Sequence, residues 1–118
     1  PEQEAMAAAV TRGRVVADAV VLARDLANAP GADLTPETFA ARATEVAERA
    51  GLGIEVLGPE ELRELGAGAI LAVGTGSANP PRLIRMRYRP NGGSDTPDRV
   101  IGLVGKCITF DTGGYSIK

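Results

Sequence analysis

Three residues near one end of this 118-residue chain are the best placed to do chemistry: Lys106, Asp111 and Lys118. The two lysines are the only ones present, and the other eleven basic residues are all arginine. A guanidinium stays protonated in proteins, whereas an amine can release its proton and serve as a ligand or a base. A chain that places the rest of its positive charge on arginine has kept lysine where an amine is required. Asp111 lies between the two amines, and Gly113-Gly114 lets the backbone fold back tightly or approach a ligand closely. The spacing can therefore bring two amines and one carboxylate to a common point.

Composition narrows the choices. With no histidine and one cysteine, Cys107, the chain cannot build a Cys/His zinc site. Any metal must be held by carboxylates, backbone oxygens or a neutral amine. The lone cysteine also rules out a disulfide within the chain, which suits a reducing compartment. A net charge of −2 gives no general attraction to nucleic acid or to an anionic membrane. No apolar run approaches membrane-spanning length. The first residues are acidic and alanine-rich rather than basic and then apolar, so no secretory leader is expected. Two Phe, two Tyr and no Trp leave an aliphatic core.

The elements that must position the Lys-Asp-Lys set follow from periodicity. Val15, Ala19, Leu22 and Leu26, with Val16, Val20, Ala23 and Ala27 beside them, predict a helix from about Glu4 to Ala29, stopped by Pro30-Gly31. Thr35 as N-cap, Pro36 at the first helical position and Glu37 in the first turn open a second helix. Its buried face is expected at Phe39, Ala43, Val46 and Ala50, with Glu45 and Arg49 paired outside. Gly51-Leu52-Gly53 ends it. Ile54–Leu57 is expected as a strand, Pro59–Leu65 as a short helix and Ala69–Val73 as another strand, with a loop over Gly74–Pro81. Arg82–Tyr88 and Arg99–Val104 are expected as strands joined by a hairpin around Pro90-Asn91-Gly92-Gly93. The fold class is α/β, with layered helices packed on a mixed β-sheet. Lys106 would then stand at the carboxyl end of a core strand, where open α/β sheets place their ligands.

The segment Val104-Gly105-Lys106-Cys107-Ile108-Thr109-Phe110-Asp111-Thr112-Gly113-Gly114-Tyr115-Ser116-Ile117-Lys118 resembles the active-site motif of the leucyl aminopeptidases, the dinuclear-metal cytosol aminopeptidase family. Upstream, Ala23 to Pro30, Leu34-Thr35-Pro36, Gly66 to Ser77 and Pro80-Pro81-Arg82 are also typical of that family. The resemblance implies that residues 1–30 are an interdomain helix. It implies that residues 31–118 are the N-terminal part of a metallopeptidase catalytic domain, a partial domain of a larger enzyme. It further implies two divalent ions, Zn²⁺ or Mn²⁺, with Lys106 a ligand through its neutral amine and Asp111 a bridging carboxylate. A metal that displaces an ammonium proton binds less well at low pH. Lys118 would stay charged and stabilise the anionic tetrahedral intermediate. The implied reaction releases N-terminal leucine-like residues from peptides with a free N-terminus. The implied setting is a cytoplasmic homohexamer, with no nucleic acid or membrane partner.

Two positions depart from the family pattern. Cys107 stands where the family has glycine, and Tyr115 replaces an aliphatic residue. The family's remaining carboxylate ligands, and its arginine that works with a bound bicarbonate, lie beyond the position of Lys118. This chain alone is therefore expected to be inactive. The competing expectations are a non-catalytic α/β module that folds or self-associates without turnover, and a phosphate-binding domain. The last is disfavoured because a phosphate loop needs glycine at position 100 and Ser or Thr at 107, which here are Val100 and Cys107. Ser77 lacks both the spacing of a nucleophile elbow and a histidine to activate it. Arg85, Arg87 and Arg89 alternate with Ile84, Met86 and Tyr88, the pattern of a strand with one solvated or inter-subunit face.

Overall fold

The computed structural model describes residues 2–90 and 99–110. The chain divides into two compact units at Pro30/Gly31. The first unit contains one helix, α1 (Glu2–Asn28). None of its residues is fully buried. Leu22, Leu26 and Ala29 are half-buried, whereas Val15, Val16 and Val20 of the expected apolar stripe are exposed.

The second unit opens with α2 (Pro36–Ala50). Its N-terminus is a reciprocal cap. The Thr35 hydroxyl accepts the Thr38 N–H at 3.2 Å, and the Thr38 hydroxyl accepts the Thr35 N–H at 2.8 Å. Two otherwise orphaned backbone donors are satisfied this way, with threonine in the place usually taken by Glu or Gln. Pro36 occupies the first turn, where the missing N–H costs nothing. At the other end Gly51 takes φ 65°, a left-handed conformation, and its N–H reaches the Ala47 and Glu48 carbonyls. The Leu52 N–H donates to Ala47 O at 2.9 Å, completing the helix stop. The buried stripe runs through Ala40 and Ala47, flanked by half-buried Phe39, Ala43 and Val46. It is rotated from the expected face, and Ala50 is exposed. Small residues at its centre let the helix lie close to its neighbours. Glu45 pairs with Arg42 at 3.3 Å, one turn back, instead of with Arg49.

Next come β1 (Gly53–Leu57), α3 (Pro59–Glu64), α4 (Gly68–Gly74) and β2 (Leu83–Arg87). β1 and β2 pair antiparallel, with Gly53 opposite Arg87, Glu55 opposite Arg85 and Leu57 opposite Leu83. Ile54, Val56, Ile84 and Met86 share the other face. α2 contacts both strands, so the unit is α/β, with helices against a small sheet. That sheet is two-stranded and antiparallel among the described residues. An ion pair between Arg85 and Glu55 crosses it on the exposed side. α3 carries Leu62, which is fully buried, and its N-terminus is closed by the Gly58 N–H donating to the Glu61 carboxylate at 2.9 Å.

Two strand expectations are corrected. Residues 69–73 belong to the helix α4. Their half-buried positions, Ala67, Ile70, Leu71 and Gly74, follow the 3-1-3 spacing of one helical face. Five aliphatic residues in a row carry no period of two, so the run reads equally as strand or helix until its flanks are included. The Thr75 hydroxyl donates to Leu71 O at 2.9 Å and extends the helix end. Gly74 is required by a close approach, because a Cβ there would lie 2.6 Å from Cδ of Pro81. The loop after α4 thus returns against the helix and delivers the chain to β2.

The second correction concerns residues 99–104, expected as a strand in a hairpin with β2. Residues 99–110 carry no helix or strand. Val100, Ile101, Leu103 and Val104 are all largely exposed, Val104 at 99%. A run that is apolar on both faces forms a stable strand only between neighbouring strands and under covering layers. The described residues provide neither to this segment. The turn expected to join it to β2, Pro90-Asn91-Gly92-Gly93, lies outside the described residues apart from Pro90.

Candidate metal and catalytic site

Lys106 lies in the irregular segment 99–110 and is exposed. The expectation that it caps a core strand is therefore not met among the described residues. Cys107 beside it is also exposed, as a free thiol. Asp111 and Lys118, the expected carboxylate ligand and catalytic cation, lie outside the described residues, as do Gly113-Gly114 and Tyr115. Of the three expected site residues, Lys106 is thus the one that falls within the described residues.

What the structure adds is the surface next to Lys106. An open groove of about 990 Å³ runs between α2, the edge of β2 and segment 99–107. Phe39 and Ala43 line it from α2, Ile84 and Met86 from β2, and Lys106 and Cys107 from the irregular segment. Phe39 and Met86 could be read in the sequence as core positions, but their place on a groove wall depends on the antiparallel register that brings β2 alongside β1. Arg82, Arg89 and Arg99 also line the groove, and among the described residues no carboxylate does. Arg82 is held in place by donating to the Pro81 carbonyl at 3.2 Å and the Pro80 carbonyl at 3.4 Å.

The donor chemistry bears on whether a metal pair fits. Among the described residues no group of three or more His, Cys, Asp and Glu side chains comes together to hold an ion. Two divalent cations need several anionic oxygens to offset their charge. Of its two amines the motif offers one as a ligand, at Lys106, and it supplies one carboxylate, at Asp111. These donors suit one corner of a two-metal site, and the groove brings cations rather than further ligands. No helix among the described residues is long and apolar enough to cross a membrane.

Comparison with known proteins gives this arrangement its context. The family description "Cytosol aminopeptidase family, catalytic domain" matches residues 21–118, beginning inside α1 and running through Lys118. The chain is 54% identical over 109 residues to the "Probable cytosol aminopeptidase" of Roseiflexus castenholzii, covering 92% of this chain and 22% of that protein. It is 49% identical over 108 residues to the protein of the same description from Corynebacterium diphtheriae, covering 92% and 21%. With that of Syntrophotalea carbinolica it is 48% identical over 115 residues, covering 98% and 22%. The chain thus spans about a fifth of the length of the curated relatives it resembles. No solved structure matches it. With the family's catalytic-domain description matched over most of its residues and close relatives aligned along nearly all of it, this chain belongs to the cytosol aminopeptidase family.

Proposed function

We propose that the chain contributes the Lys-Asp-Lys part of the active site of a metal-dependent aminopeptidase that releases N-terminal leucine-like residues from peptides. The observation that carries this reading is the motif Val104–Lys118, which departs from the family pattern at Cys107 and Tyr115, inside the matched residues 21–118. Residues 1–30 act in this reading as an interdomain helix, and residues 31–118 as the first part of the catalytic domain. Lys106 and Asp111 hold divalent cations, Zn²⁺ or Mn²⁺, which when bound anchor the substrate's free α-amine and activate water.

The chain's own residues do the rest. The amine of Lys106 serves as a ligand only after losing its proton, so a proton is released as the site loads. Asp111 supplies the anionic oxygens. Lys118 keeps its proton, and its charge would stabilise the oxyanion that develops as the scissile carbonyl becomes tetrahedral. In this reading the parent enzyme is cytoplasmic and a homohexamer, with peptides as its partners.

The test is hydrolysis of a leucine anilide and a leucyl peptide by the full-length parent, with and without a chelator. Chelator-sensitive release of leucine supports the reading. No turnover under saturating Zn²⁺ and Mn²⁺ refutes it and favours a non-catalytic module. That second reading draws on the exposure of Lys106 and the absence of regular structure over residues 99–110. The 118-residue chain alone is expected to be inactive, since its motif supplies only part of the ligand set.

A further inference from the structure

We draw no further inference here: the strongest candidate, the exposed aliphatic segment Val100–Val104 along the groove of the second unit, carries nothing because nothing in the structure shows what covers it.

Discussion

Replacing Leu62 with alanine gives the sharpest test of how the second unit is held together. Leu62 is the only large side chain that is fully buried among the described residues; the other buried positions, Ala40 and Ala47, are small. It sits on α3, which contacts both α4 and β1. Truncating a buried leucine to alanine costs about 2–5 kcal/mol, depending on how far the surroundings collapse into the gap. Here the surrounding layers are thin and half-exposed, so collapse is easy and a value near 2.5 kcal/mol is expected, toward the low end of that range. At 1.4 kcal/mol per decade this is roughly a sixtyfold fall in the folded-to-unfolded ratio. With a urea slope of about 1–3 kcal/mol per molar, the midpoint moves down by roughly 1 to 2.5 M. The assay is urea unfolding of the 118-residue chain followed by circular dichroism. Leu65→Ala is the control, because Leu65 lies three residues on and is 63% exposed. It should move stability by no more than about 0.5 kcal/mol. Equal losses at the two positions would overturn the view that burial at Leu62 anchors this unit.

Further outcomes follow from the site and the caps. Lys118→Ala in the full-length parent should lower kcat by about 10²–10³, the usual effect of removing one oxyanion stabiliser; metal content, measured by elemental analysis, should stay unchanged, and loss of metal would mean that Lys118 is a ligand. Cys107→Gly, which restores the family residue, should leave metal binding intact or improve it; a severe loss in a metal titration would make the thiol a ligand. Gly51→Ala should destabilise the chain by about 1 kcal/mol or somewhat more, since φ 65° is strained for alanine. Nothing lies within 4 Å of a Cβ at Gly51, so the loss is conformational and not steric. An unchanged urea midpoint would refute that assignment.

The parts of the fold legible in the sequence were those set by local chemistry. Thr35-Pro36 and Gly51 bracket α2 because capping and left-handed φ are properties of a few neighbouring residues. Aliphatic and alternating runs predict strands at Ile54–Leu57 and Arg82–Tyr88, and β1 and β2 fall within a residue of those bounds. The α4 segment is ambiguous in the sequence because five aliphatic residues in a row lack a period, and Ala67 and Gly74, which complete its half-buried face, lie just outside the run.

The family was also legible in one dimension, because a family motif is an ordered set of residue types whose spacing survives without coordinates. Tertiary structure alone decided the rest. Which aliphatic residues are covered depends on what packs against them: Leu62, flanked by Glu60, Glu61, Arg63 and Glu64, is buried, while Leu103, inside the apolar run Val100–Val104, is 95% exposed. The pairing of β1 with β2 is likewise a long-range choice, since a strand's hydrogen bonds lie on another segment and its sequence does not name that partner. The run Val100–Val104 has the composition of a core strand, yet composition cannot supply the neighbouring strands and covering layers that would make it one.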